Sequence, residues 1–450
     1  VAIFDQYTIP PTAGQLELLR YLLVLTYAVL FPFLAMVAGA TQLSLFFNVR
    51  DRDIANSTFA RIAKDLMDMV VARRSVVVVL GVLPLLVIWL IHGQWLSGAT
   101  VPSLRILPVG LVTTALAFIP LMAYRSSLDP KGRNSINNLG LGGLGFLMLV
   151  LGTYVTVGAI TRFNDPERWP LQENAIRMML SFNIIWRHAV FMASGLAFAG
   201  CGLLLFFFEW PGCKPISDTR YATFLKNFGA GVGMAASMLI PVVLLFHTVT
   251  TPLVGVSDWF YGIYVAIVAV LFVAFVLLFT ALVSPRPRSA MMVFVLFLIV
   301  FTLTGVNDQL ALVNATREHS AGLATRAEEM RAQIAMEREK QRGGGEVDLA
   351  RGKEVFETIC STCHRLDERL VGPPLNTVLP NYAANPDDLV SFIQSPSKKN
   401  PDYPPMPAPG LSLADTRSVA AFLLGQSAPP QEPAPETTPE TTPEETAPEH

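Results

Sequence analysis

Cys360-Ser361-Thr362-Cys363-His364 decides how the rest of the chain is read. Two thiols with two residues between them, followed at once by an imidazole, form C-x-x-C-H, the attachment pattern of a c-type haem. Both sulfurs then bond to vinyl groups of the macrocycle, and the histidine becomes an axial ligand of its iron. Cys360 and Cys363 are thus the expected attachment points of one covalent haem c, with His364 as the proximal iron ligand. Two other chemistries use such a pair. A thioredoxin-like redox couple needs a strand–helix–strand setting, which the flanking sequence does not offer. A zinc site needs a second ligand pair, and none follows at the usual spacing. Covalent haem attachment occurs outside the bacterial cytoplasm, so this stretch is expected across a membrane from it.

The composition supplies that membrane. Of 450 residues, 52% are hydrophobic and only 15% charged, against roughly a quarter charged in a soluble chain. Several apolar runs are about 20 residues long, enough to span a bilayer, and eight candidate transmembrane helices lie near 15–47, 75–91, 104–124, 139–159, 182–208, 229–246, 259–283 and 290–304. The expected fold class is all-α, a polytopic transmembrane bundle of about eight helices plus a small all-α domain. Residues 1–306 form the membrane part. Residues 307–345 form a helical stalk, rich in Ala, Glu, Arg and Met over 324–341, ending in the hinge Gly343-Gly344-Gly345. Residues 346–426 form the compact domain. The Pro, Glu and Thr tail 427–450 has too little apolar surface to order itself. The first apolar run is too long, and lacks the basic flank, for a cleavable signal peptide; it reads as the first anchor. A net charge of −2 gives no reason to expect a nucleic-acid partner. Cys201 in an apolar run and Cys213 in a short loop read as structural thiols.

Basic residues set the orientation. Arg50, Arg52, Arg61, Lys64, Arg73 and Arg74 follow the first run, Arg125, Lys131 and Arg133 the third, Lys214, Arg220 and Lys226 the fifth, and Arg286 and Arg288 the seventh. The alternate loops are poorer in them. The positive-inside rule then puts both termini on the outer, periplasmic side of the bacterial inner membrane. The haem motif asks for the same face independently.

Around the motif, 349–356 reads as a short amphipathic helix delivering Cys360. Gly372-Pro373-Pro374-Leu375 follows, then Tyr403-Pro404-Pro405-Met406-Pro407, then a closing helix over 413–424. Met406 on its own is either an iron ligand or a flexible gap-filler. Residues 346–426 resemble a class I monohaem cytochrome c. The resemblance implies that Met406 is the sixth iron ligand opposite His364, and that Pro374 packs near the proximal histidine. A thioether ligand raises the reduction potential, which suits accepting electrons.

Three histidines lie near the ends of apolar runs: His92, His188 and His247. An ionisable group in a span is a functional hypothesis by default. His188 and His247 sit on consecutive antiparallel runs, so two imidazoles at similar depth could hold the iron of a haem b, with His92 a further candidate. Nearby small residues (Ser194, Gly195, Gly200, Gly229, Gly231, Gly233) leave room for a flat macrocycle or for close helix contact. The plainer reading is interfacial histidines wetted by headgroups. Trp186-Arg187-His188-Ala189-Val190 and Gly81-Val82-Leu83-Pro84 with His92-Gly93-Gln94-Trp95 are similar to segments of the large subunit of cytochrome bd-type quinol oxidases, over about 18–252. That resemblance implies a haem b ligand at His188. The first run has no histidine for an oxygen-reducing haem pair, and the third has no glutamates, so oxygen reduction is not expected. The loop 161–179, with Arg162, Asp165, Glu167, Arg168, Trp169 and Glu173, is either a quinol headgroup site or an interfacial loop with a Trp anchor.

These readings converge on a membrane-bound electron-transfer subunit of a respiratory or photosynthetic complex. Electrons would pass from quinol through haem b to haem c, as in a quinol:cytochrome c-type oxidoreductase. Expected partners are other membrane redox subunits, a periplasmic carrier or acceptor, and lipid or quinone. Two alternatives are a cofactor-free anchor carrying a cytochrome domain, and a redox-linked transporter. A transporter calls for repeats and broken helices at mid-membrane, which the sequence does not display.

Overall fold

The structure, a computed structural model, describes residues 10–53, 57–129, 136–171, 174–211, 213, 216–283, 289–339 and 347–426. The chain divides into two compact units, Val1–Glu328 and Glu329–His450. Among the described residues every regular element is helical, so the all-α class holds. In the first unit the elements are α1 (Ala13–Asp53), α2 (Ser57–Val71), α3 (Arg74–Trp95), α4 (Pro102–Ser127), α5 (Ile136–Phe163), α6 (Phe182–Leu204), α7 (Thr219–Thr250), α8 (Asp258–Val283) and α9 (Ala290–Ala315). All but α2 are long and apolar enough to cross a membrane, which makes eight spans. They coincide with the eight apolar runs and mostly extend past them, because polar residues continue a helix that hydropathy alone would end.

α6 is the centre of this unit: 78% of its apolar window is buried, against 28% for α8. The exposed side of α8, with Val265, Phe272 and Phe279, has the apolar character of a lipid-facing surface. Close packing around α6 depends on bare Cα atoms. A Cβ on Gly39 of α1 would fall 2.0 Å from the Gly195 carbonyl oxygen, and one on Gly200 would fall 2.7 Å from the Gly229 oxygen of α7. Gly39, Gly195, Gly200 and Gly229 therefore serve helix contact, whereas a Cβ on Gly231 would meet nothing within 4 Å.

α2 packs on α1, with further contacts to α4 and α6, and buries Ile62, Ala63, Leu66, Met67 and Val70. Its polar face is tied to the bundle. The Tyr221 hydroxyl donates to Asp65 at 2.5 Å, the Arg61 guanidinium lies 4.0 Å from the Tyr221 ring centroid, and Arg125 pairs with Asp68 at 2.6 Å.

α9 runs through Asn307, Asp308 and Gln309, and Asn307 and Gln309 are buried in the bundle. α10 (Arg317–Glu339) follows after a break at Thr316. Its first half is fastened to the first unit. Trp95 Nε1 donates to Thr316 Oγ1 at 3.1 Å, His319 Nε2 donates to the Trp95 carbonyl at 3.2 Å, and Leu323 and Ala327 are buried. The stretch read as a stalk therefore starts within the bundle. The Gly343–345 hinge and the tail 427–450 lie outside the described residues.

The second unit contains α11 (Leu349–Val355), α12 (Leu375–Val378), α13 (Pro386–Gln394) and α14 (Leu413–Gln426). Asp348 caps α11 by accepting from the Ala350 and Arg351 amides. α11 crosses α14 so closely that a Cβ on Gly352 would fall 2.1 Å from the Ser418 carbonyl oxygen. Val355, Leu375, Leu379, Leu389, Val390, Ile393, Val419, Ala420 and Leu423 form the core. Such a core is small for a domain of this length, and much of the remaining apolar surface lines a cleft.

Candidate functional site

That cleft has a volume of about 330 Å³ and is lined by Cys360, Cys363, His364, Gly372, Pro373, Leu379, Phe392, Tyr403 and Met406, among others. Four residues singled out in the sequence thus meet at one place, although Met406 is far from the motif along the chain. Local structure explains the thiol end. α11 continues as a π-helical turn, Phe356–Cys360, closed by Ser361 N–H donating to the Phe356 carbonyl at 2.8 Å. Such turns re-aim the side chains that follow. The His364 amide then donates to the Cys360 carbonyl at 2.9 Å, folding the motif into a single turn. Neither thiol is in a disulfide. Burial, and then the neighbouring Cys363, raise the Cys360 pKa, so its thiol is neutral at pH 7.

The methionine end is held by cation–π contacts and hydrogen bonds. The Arg369 guanidinium lies 4.5 Å from the Tyr403 ring centroid and donates to the Asp402 carbonyl at 3.2 Å. Lys399 donates to the Tyr382 hydroxyl at 2.9 Å. At the base of the cleft, the Val371 and Gly372 amides donate to the Cys363 carbonyl. This brings Gly372 under the His364 ring, where a Cβ would fall 2.2 Å from Cε1. Burial lowers the His364 pKa, and the Pro373 carbonyl partly opposes it. The ring is therefore neutral at pH 7, the form that donates a lone pair to a metal. Its Nδ1 is buried without a hydrogen bond of ordinary geometry. Pro373 lines the cleft and its carbonyl lies beside the His364 ring, and Pro374 immediately precedes α12. An apolar slot with two free thiols at one side, a neutral imidazole and a thioether fits a covalently held haem.

A cytochrome c family profile matches residues 349–427. Cytochrome c-551 of Azotobacter vinelandii is 32% identical over 77 residues, which is 16% of this chain and 94% of that protein. The Pseudomonas denitrificans cytochrome c-551 is 31% identical over the same length, again 94% of it. Through this region the chain belongs to the cytochrome c family. No solved structure matches the chain. The cytochrome c region accounts for a covalent haem c and for electron transfer, and the eight apolar helices for membrane anchoring.

The membrane histidines have separate surroundings. His92 Nδ1 lies 2.8 Å from the Ile88 carbonyl, so it carries the proton and donates. Its Nε2 then accepts from the Tyr27 hydroxyl at 3.2 Å, and both nitrogens are used. His188 Nε2 lies 3.1 Å from Thr153 Oγ1, whose own proton goes to the Leu149 carbonyl at 2.7 Å. His188 therefore donates through Nε2 and keeps its lone pair on Nδ1. It faces α5, with Tyr154 5.2 Å away between ring centroids. The His247 ring meets the Asn183 backbone and feels the Arg187 charge, and its Nδ1 is buried without a hydrogen bond. His188, on α6, thus faces Thr153 and Tyr154 of α5, whereas His247, on α7, meets the start of α6 at Asn183.

A polar layer that the sequence did not disclose lies beside these histidines. Arg187 of α6 forms an ion pair with Asp308 of α9, with side-chain exposures of 12% and 14%. The Arg187 charge reaches Tyr27 of α1, His92 of α3, His247 of α7 and Tyr264 of α8. Six of the eight spans thus contribute to one layer. Arg187 sits within the quoted Trp186–Val190 segment, which offered a signal. Asp308 lies beyond the last apolar run and offered none.

Several described residues of the loop 161–179 bond to one another. Arg162 donates to the Met178 carbonyl at 2.9 Å and pairs with Asp165 at 3.3 Å, Arg168 pairs with Asp165 at 3.2 Å, and Trp169 Nε1 donates to the Arg162 carbonyl at 3.2 Å. Burial raises the Asp165 pKa despite both arginines. These bonds occupy the Arg162, Arg168 and Trp169 donors that a quinol headgroup would need; Glu173 lies outside the described residues.

Proposed function

We propose that this chain is a membrane-anchored electron-transfer subunit in which Cys360 and Cys363 hold one haem c covalently, with His364 and Met406 as its iron ligands. The carrying observation is the single cleft that gathers those four side chains. When bound, the haem supplies one-electron oxidation and reduction. The protein attaches it, sets its axial ligands and excludes water with Leu379, Phe392 and Tyr403. The domain works on the periplasmic side, in keeping with the charge asymmetry of the loops, and delivers electrons to a soluble or complex-bound acceptor.

The finer reading takes electrons from membrane quinol through a haem b ligated by His188 and His247, on a scaffold similar to bd-type subunits. It is supported by the unpartnered Nδ1 of His247 and the Nδ1 lone pair of His188. His92 is outside this reading, since both of its nitrogens are engaged.

A pyridine haemochrome assay on the purified chain tests both levels. The expected result is covalent haem c, lost in Cys360→Ser/Cys363→Ser; a chain without covalent haem overturns the first reading. One haem b per haem c, abolished by His188→Ala, supports the quinol route. Haem c alone makes the helices an anchor.

A further inference from the structure

Several polar atoms in the Arg187–Asp308 layer are buried and have no hydrogen bond of ordinary geometry. Asn307 is 1% exposed, and its Nδ2 donor and Oδ1 acceptor have no such bond, although the Tyr264 hydroxyl lies beside them. His247 is 4% exposed with Nδ1 unpartnered. Tyr264 stands beside Asn307 and beside Thr248, the residue next to His247. Leaving a buried donor or acceptor unmade is costly, and inside an apolar bundle the cost is not relieved by bulk water. The layer is therefore built for a guest that both accepts and donates hydrogen bonds.

The position narrows the class of guest. α6 and α7 are consecutive spans packed against each other, so α6 begins and α7 ends on the same side of the bundle. Arg187 is five residues from the start of α6 and His247 three from the end of α7, so the layer lies within about two turns of that face. A ligand arriving from the bilayer reaches it without crossing the whole membrane. A quinone headgroup suits these groups, because its two carbonyls accept when oxidised and its two hydroxyls donate when reduced. The Asn307 amide provides the matching donor and acceptor at one residue. The Arg187–Asp308 pair provides a fixed cation and anion beside it.

We propose that Asn307, Tyr264 and the Arg187–Asp308 pair form a quinone-headgroup site at this end of the bundle, with His247 left to the haem b. The proposal rests on the quinol reading given above and locates that site in this layer rather than in the loop 161–179.

Asn307→Leu tests it cleanly. Because the Asn307 amide makes no hydrogen bond of ordinary geometry within the protein and has only the Tyr264 hydroxyl named beside it, a purely structural residue would tolerate the change, and the thermal midpoint should hold within a few degrees. A quinone ligand would lose its bonds, and affinity should fall about ten-fold or more. The measurement is equilibrium binding of a decyl-tailed benzoquinone to the full haem-loaded chain in quinone-free lipid nanodiscs, corrected for partitioning into lipid. Tyr264→Phe should weaken binding less. Weakened binding with unchanged stability supports the site. Quinone binding that Asn307→Leu and Tyr264→Phe leave intact overturns this site but not the quinol reading, and leaves water as the guest of the layer. No binding to the unmodified chain overturns both.

Discussion

The His364 imidazole lies directly against the Cα of Gly372, so close that a Cβ there would come within 2.2 Å of Cε1 and 2.6 Å of Nδ1. A free histidine ring could swing aside from such a clash, but one fixed to an iron cannot. Gly372→Ala should therefore act on haem binding more than on the fold of the second unit. The expected outcome is loss of most covalent haem, or a haem without its normal axial pair, seen as reduced haem stain per protein and an altered visible spectrum. Full haem content with an unchanged spectrum would mean that the ring sits elsewhere in the haem-loaded protein.

Met406 and Arg369 should affect the same quantity to different degrees. Met406→Leu removes the thioether, so the reduction potential should fall by on the order of 100 mV. Arg369 ties the loop after the haem motif to the loop before Met406 through Tyr403 and Asp402. Arg369→Ala keeps both axial side chains but frees that loop, so a smaller fall in the same direction is expected. Spectroelectrochemical titration measures both. Equal potentials in Met406→Leu and the parent chain would remove Met406 from the iron.

The sequence disclosed elements and motifs better than it disclosed contacts between them. The spans were legible because a bilayer demands about 20 apolar residues, and C-x-x-C-H because its chemistry is local. Met406 was legible only through a family resemblance; nothing in its neighbourhood of prolines forces it into the cleft. Arg187 and Asp308 were not legible as a pair, since 121 positions separate them and Asp308 follows the point where hydropathy fades. The glycines of α6 and α7 carried two readings, macrocycle or helix contact. At Gly200 the readings separate, because a Cβ there would fall 2.7 Å from the Gly229 oxygen.

His319 should make the start of α10 sensitive to pH. It donates to the Trp95 carbonyl and meets the edge of Trp169 at 5.8 Å. Burial, opposed by the Trp95 carbonyl and aided by the Arg326 charge, lowers its pKa. A base whose folded pKa is lowered contributes stability that is complete above its unfolded pKa, near 6.5. That contribution is lost as pH falls and the unfolded or undocked form takes up the proton first. Hydrogen exchange over 317–328 should therefore quicken below about pH 6.5 and be flat above it. His319→Gln, which keeps a donor but does not titrate, should flatten the profile. A steep profile in His319→Gln would point to another group.

Arg187 and Asp308 should be unequal when removed singly. Breaking a buried pair leaves one charge uncompensated, typically costing about 3–5 kcal/mol. A carboxylate left alone can take up a proton, whereas a guanidinium cannot shed one at any ordinary pH. Asp308→Leu should therefore destabilise the first unit more than Arg187→Met does, and the Arg187→Met loss should shrink as pH is lowered. The double variant Arg187→Met/Asp308→Leu should recover much of the loss, because a well-packed apolar pair replaces a buried ion pair at little net cost. Thermal unfolding of the four proteins in one detergent, at pH 8 and pH 5.5, measures the cycle. Additive losses in the double variant would show that the two side chains act on stability separately.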